Sequence, residues 1–125
     1  MSFDWSKFLA LAEAVYEQRH TLPDLEACCR TVSNRAYYAV HNLAYHKMTQ
    51  EDSSASTSGR HENTIAYFKE SPNKTRRRIG NYVDRMRIYR NNADYQEKVR
   101  DGSVERQSEL SLKIASKVIA ELNSL

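Results

Sequence analysis

The stretch Leu25-Glu26-Ala27-Cys28-Cys29-Arg30-Thr31-Val32-Ser33-Asn34-Arg35-Ala36-Tyr37-Tyr38-Ala39-Val40-His41-Asn42-Leu43 contains no Gly or Pro and repeats its apolar residues at spacings of three and four. That period puts one side of an α-helix against a core. Leu25, Cys28, Cys29, Val32, Ala36, Ala39, Val40 and Leu43 share the face. The helix is predicted to continue to about Met48. Thr21-Leu22-Pro23-Asp24 reads as its start, with Thr21 as N-cap and Pro23 in the first turn.

The same period recurs on both sides of this helix. Upstream, Trp5, Phe8, Leu9, Ala12, Val15 and Tyr16 form one stripe, with Asp4 or Ser2 as cap and Arg19-His20 suited to the end. Downstream, the Ser-rich stretch from Gln50 to Gly59 reads as a mobile loop. A short helix is expected from Glu62 to Lys69, packing through Ile65, Ala66 and Phe68. Ser71-Pro72-Asn73 separates it from a fourth helix over Lys74 to Asn92. The last helix should start near Ser103, after Asp101-Gly102, and bury Val104, Ala115, Val118, Ile119 and Leu122. No β-type alternation occurs. The expected fold is all-α: an up-and-down bundle of four main helices plus one short helix, as a single domain over residues 1–125.

Composition narrows the function classes. A chain of 125 residues suits one core, and three Gly and two Pro are too few for a turn-rich sandwich or barrel. No apolar run approaches the roughly 20 residues of a membrane span. The opening Met1-Ser2-Phe3-Asp4-Trp5 has neither the basic start nor the apolar core of a secretion signal. Cys28 and Cys29 are adjacent, and helical neighbours point about 100° apart, so they suit neither a disulfide nor a metal site. A reducing cytoplasm is the expected compartment. Gly-rich phosphate loops, metalloprotease helices and nucleophile elbows are missing, so neither metal nor cofactor is expected.

Charge is uneven along the chain. Between Asn73 and Arg90, seven cations (Lys74, Arg76, Arg77, Arg78, Arg85, Arg87 and Arg90) stand against one acid, Asp84. Clustered Lys and Arg are the footprint of a phosphate-facing surface, and also of a merely solvated helix face. On a wheel of 100° per residue, Ile79, Tyr82, Val83, Met86 and Tyr89 form the core sector of this helix. Arg90 projects between Ile79 and Val83, inside that sector. A guanidinium keeps its proton and is costly to bury alone. Arg90 therefore either pairs with Asp94, one turn on, or lines a cleft where it grips a phosphate. Asn91-Asn92-Ala93-Asp94-Tyr95 adds amides, a carboxylate and a phenol around it. On the second helix, Arg35 borders the apolar stripe and Tyr38, Asn42 and Tyr45 run down a neighbouring band, while Tyr37 projects elsewhere. If Arg35 and Arg90 share one cleft, this aromatic band can stack on bases or shape a dimer groove.

Ser33-Asn34-Arg35-Ala36-Tyr37-Tyr38-Ala39-Val40, followed after a Ser-rich loop by Arg85-Met86-Arg87-Ile88-Tyr89-Arg90-Asn91-Asn92-Ala93-Asp94-Tyr95, resembles the HEPN domain. The likeness is to its stand-alone bacterial and archaeal members, and it covers nearly the whole chain. It implies a helical bundle acting as a homodimer and, for many members, metal-independent endoribonuclease activity in toxin–antitoxin pairs or defence. Arg90, Asn91 and Tyr95 then stand at catalytic positions. Arg35, Tyr38 and Asp94 become binding residues, and Arg76, Arg77, Arg78 and Arg87 track the RNA backbone. A nucleotidyltransferase antitoxin is a further implied partner. The family signature places a histidine four to six residues beyond the arginine; here Tyr95 occupies the position, and no histidine follows His61. A phenol, with an ordinary pKa near 10, is a poor proton-transfer group at neutral pH. A non-catalytic module that binds nucleotide, RNA or a nucleotidyltransferase is the alternative expectation. Arg35 and His41 repeat an Arg–His spacing, but six residues rotate about 240° and rise about 9 Å, which separates them. The roles of His41, His46 and His61 stay open at this level.

Overall fold

The computed structural model describes residues 2–55, 58–99 and 103–125. It is an all-α bundle: α1 (Ser6–Glu17), α2 (Leu25–Glu51), α3 (Arg60–Lys69), α4 (Lys74–Tyr95) and α5 (Val104–Asn123), with no strand among the described residues. No helix is long and apolar enough to cross a membrane among those residues.

α2 is the axis of the bundle, packed against all four other helices. The apolar stripe read from the sequence is therefore too narrow. Val32, Ala36, Tyr37, Ala39, Val40 and Ala44 are all fully buried, on several sides of the helix. A helix enclosed by neighbours buries residues all round, and its alanines let those neighbours approach. Leu25, by contrast, is 41% exposed, because it lies in the first turn before the other helices close over α2. The cap also differs from expectation. Asp24, not Thr21, accepts from the Ala27 amide at 2.8 Å, whereas the Thr21 hydroxyl donates back to the Gln18 carbonyl at 2.9 Å. A carboxylate at the N-cap satisfies a free amide and opposes the helix dipole. Cys28 and Cys29 are buried and free.

Helix ends decide where the later side chains sit. α2 runs on to Glu51, and Asp52 then folds back to accept from the Ser54 amide and hydroxyl at 3.0 and 2.6 Å. Of the Ser-rich stretch, residues 56 and 57 lie outside the described residues, as do Asp101 and Gly102 of the expected α5 start. Gly59 precedes α3 with φ +62°, a left-handed conformation that only glycine adopts at little cost. The helix therefore begins at Arg60, two residues earlier than the apolar pattern suggests. At the far end of α4, Arg30 of α2 donates to the carbonyls of Asn92, Ala93 and Glu97 at 3.3, 2.8 and 3.2 Å. The Asn92 carbonyl also accepts from the Gln96 amide at 3.1 Å, the Ala93 carbonyl belongs to the last turn of α4, and Glu97 follows it. Arg30 therefore ties the end of α4 to α2.

α3 and α4 meet closely at one glycine. A Cβ built on Gly80 would lie 2.6 Å from the backbone nitrogen of Lys69, and Lys69 also pairs with Asp84 at 2.7 Å. Alanine in a helix interior ordinarily gains about 1 kcal/mol over glycine. Here the clash outweighs that gain, and Gly80→Ala is expected to lower stability by about 1–3 kcal/mol. A urea unfolding midpoint at or above that of the wild type would show that α3 does not sit this tightly on α4.

Candidate functional site

Three helices bring their polar residues to one place. α2 contributes Tyr37, Tyr38 and His41 from one turn, α3 contributes Arg60, His61 and Glu62 from its first turn, and α4 contributes Arg87, Arg90 and Asp94. Tyr38, His41, Asn42, Arg60, His61 and Arg87 line an open pocket of about 430 Å³.

Aromatic stacking organises its floor. The rings of His41 and His61 stack 4.1 Å apart at 11° to one another. Tyr37 is nearly parallel to both, at 5.6 and 5.7 Å. Its hydroxyl lies 2.6 Å from His61 Nδ1. Parallel imidazoles direct their lone pairs along separate planes and cannot converge on one tetrahedral ion. Among the described residues no group of three or more His, Cys, Asp or Glu could hold a metal.

Arg90 lies behind this floor. It is 7% exposed, its guanidinium carbon 5.3 Å from the Tyr37 ring centre and 5.4 Å from that of Tyr38. The pairing with Asp94 foreseen from the sequence exists but is stretched, at 3.5 Å, while Asn34 donates to the same carboxylate at 3.0 and 3.2 Å. Arg90 Nε is buried without a hydrogen-bond partner. A buried guanidinium with one long contact is under-satisfied, and an anion entering beside it would complete its bonding.

The local field keeps the histidines neutral. Burial, followed by the charges of His61, Arg60, Arg87 and Arg90, lowers the His41 pKa to about 3. His61 is lowered below its ordinary 6.5 by burial and then by Arg87 and Arg90. Burial raises the Tyr37 phenol well above its ordinary range, so it stays protonated. Because the phenol is a ready donor, we assign its O–H to donate to His61 Nδ1, which leaves the His61 proton on Nε2. Arg87 donates to Glu62 at 2.9 Å, and that contact holds the Glu62 carboxyl below its usual range. Arg60 stacks over Tyr45 at 3.8 Å.

The structure divides the residues singled out from the sequence. Arg90, Asp94 and Tyr38 gather at the site, and Arg35 reaches the same Tyr38 ring at 5.5 Å while covering Phe8 at 4.6 Å. Arg35 also donates to the side-chain amide oxygen, Oδ1, of neighbouring Asn34. Arg87 joins the pocket. Asn91 is half-buried, and Tyr95 is 73% exposed, its ring centre 6.0 Å from the Arg90 guanidinium carbon. Arg76 is bound by Glu51 at 2.8 and 2.5 Å, Arg78 by Glu121, and Arg77 by the carbonyls of Ser71 and Pro72. None of these three belongs to the pocket. The sequence left the roles of His41 and His61 open, set Tyr37 on another side of α2, and singled out neither Arg60 nor Glu62. Tyr37 and His41 are one helical turn apart and could have been placed on one face by the 100° rule. His61 could not, since only the packing of α3 brings it there. No family model, curated protein or solved structure matches the chain.

Proposed function

We propose that the protein is an RNA-directed member of the HEPN type, a homodimer acting as a metal-independent endoribonuclease of the toxin or defence class. The observation that carries this reading is the neutral His61 imidazole on the pocket wall beside the under-satisfied Arg90. It supplies, from α3, the proton-transfer group that α4 lacks at Tyr95. A pocket walled by Arg60, Arg87 and the His61 N–H, with Arg90 behind it, offers donors to an anion and suits a phosphodiester. In the reaction the ribose 2′-hydroxyl gives its proton to His61 Nε2 as its oxygen attacks phosphorus. The bond from phosphorus to the 5′-oxygen breaks to leave a 2′,3′-cyclic phosphate, and the imidazolium returns the proton to the departing 5′-oxygen. Arg90 and Arg87 would carry the charge that builds on the phosphoryl oxygens. In the other neutral tautomer, reached by exchange of the Nε2 proton with water, Nδ1–H donates to the Tyr37 oxygen, the phenol keeps its own proton, and Nε2 is bare as a base. Tyr95, its ring centre 6.0 Å from the Arg90 guanidinium carbon, and Asn91 adjoin Arg90 on α4.

One observation favours the second reading, a non-catalytic module that binds nucleotide or RNA or docks a nucleotidyltransferase antitoxin. As long as Tyr37 donates to Nδ1, His61 presents a proton to the pocket and accepts none. Incubation of the protein with labelled RNA in the presence of a chelator separates the two. The wild type is expected to cleave, and Arg90→Ala to slow cleavage about 10²–10³-fold, the loss typical of one transition-state donor. RNA bound but left intact by the wild type would establish the binding module instead.

A further inference from the structure

The cationic run of α4 does not form one surface. Counted at 100° per residue, Lys74, Arg77, Arg78 and Arg85 lie between about 120° and 160° round the helix from Arg90, and Asn81 lies opposite it. These residues, with Tyr82, line an open pocket of about 430 Å³ of their own. Lys117 of α5 enters the same surface, donating to the Tyr82 hydroxyl at 3.3 Å with its ammonium 5.3 Å from the ring centre. The acids at this face, Glu121 and Asp84, are occupied by Arg78 at 2.6 Å and by Lys69 at 2.7 Å. Among the described residues, Lys74 and Arg85 have no acidic partner, and both are exposed. The stripe runs along about 16 Å of helix.

We propose that this outer stripe of α4 is a second nucleic-acid site, holding the phosphodiester backbone of single-stranded RNA on the side of the helix away from the His61 pocket. Charge complementarity identifies the occupant. Cations free of acids release counterions when they meet a polyanion. The Tyr82 ring and the Asn81 amide add a stacking surface and a hydrogen-bonding group, which a strand with unpaired bases can use. A membrane surface fits less well, since its binders expose several large apolar residues on the contact face and this one offers Ile88 alone. The site shares its RNA ligand with the function proposed above and does not depend on its chemistry. A strand anchored here cannot enter the pocket of the same protomer directly, because α4 itself, about 10 Å thick, stands between.

The test is fluorescence anisotropy of a labelled single-stranded oligouridine against salt, with the wild type, Lys74→Gln/Arg85→Gln/Lys117→Gln and Arg90→Ala. The three substituted cations are exposed and unpaired with acids, so unfolding urea midpoints should match the wild type. The triple variant is expected to flatten the log–log salt slope by about 2, for three contacts at about 0.7 each, and to weaken binding at least about tenfold at low salt. Arg90→Ala should keep its slope within about 0.7 of the wild type. An unchanged slope in the triple variant overturns the proposal. So does capture by phosphatidylserine vesicles, lost in the triple variant, from a protein that ignores RNA. RNA held through the stripe but never cleaved leaves this site standing and removes the ribonuclease reading. Cleavage with binding undiminished in the triple variant does the reverse.

Discussion

Replacing His61 with alanine is expected to slow RNA cleavage by about 10²–10⁴-fold, the usual contribution of one positioned proton-transfer group. The size follows from what remains. Arg87 and Arg90 still hold the phosphate in the variant, so RNA binding should change little while turnover falls. The pH profile gives a second and sharper readout. His61 has its pKa below 6.5, pushed down by burial and by the Arg87 and Arg90 charges. A base of that kind is unprotonated at neutral pH and becomes protonated on acidification. The rate of the wild type should therefore be flat above about pH 7 and fall below the His61 pKa. His61→Ala should lose that acid limb together with the rate. Equal profiles for the two proteins would assign the proton transfer elsewhere, with Tyr95 the next candidate on α4.

The bundle was legible because its signals are local. Apolar periods, the turn at Ser71-Pro72-Asn73 and the expected start near Ser103 lie within a few residues of what they control, and the structure places the starts of α4 and α5 accordingly. The burial of Arg90 followed from the same arithmetic, since its angle relative to Ile79 and Val83 is a property of one helix. The rest of the site depends on contacts across helices. His61 meets Tyr37 at a separation of 24 positions, and Glu62 meets Arg87 at 25. No spacing rule reaches that far. Helix geometry set Arg35 and His41 apart, and the roles of His46 and His61 stayed open because only the packing of α3 on α2 brings His61 beside Tyr37. The cations show the opposite error. Seven of them look like one strip in sequence, yet helical rotation distributes them over opposite sides, and Glu51, Glu62 and Glu121 engage three.

Acid should unfold this protein at a higher pH than carboxylate protonation alone would require, and His41 should be the cause. Its ring is 2% exposed, its Nδ1 has no hydrogen-bond partner, and its surroundings are three arginines and a second histidine. A proton there would be buried among like charges. The folded pKa is accordingly about 3, against 6.5 for the free side chain. The unfolded chain thus binds a proton that the folded one refuses throughout that interval. With the unfolded state the better proton acceptor, stability falls as pH falls, by up to about 1.4 kcal/mol per unit. The full stability is present above 6.5 and is lost progressively down to about 3. Between pH 7 and pH 5 the loss from His41 is up to about 2 kcal/mol, a large part of a domain stability of about 5–15 kcal/mol. His61, lowered in the same direction, adds to it. Glu51 does not contribute in that window. Its carboxyl, held down to about 2 by Arg76, destabilises the fold only as it takes up a proton below its ordinary 4.5. His41→Phe keeps a ring of similar size and removes the titration. Its urea midpoint should fall less between pH 7 and pH 5 than that of the wild type, by the equivalent of about 2 kcal/mol. Equal losses in the two proteins would mean that the His41 ring takes up its proton in the folded state, and an NMR titration of its ring protons would then show a pKa near 6.5 and not near 3.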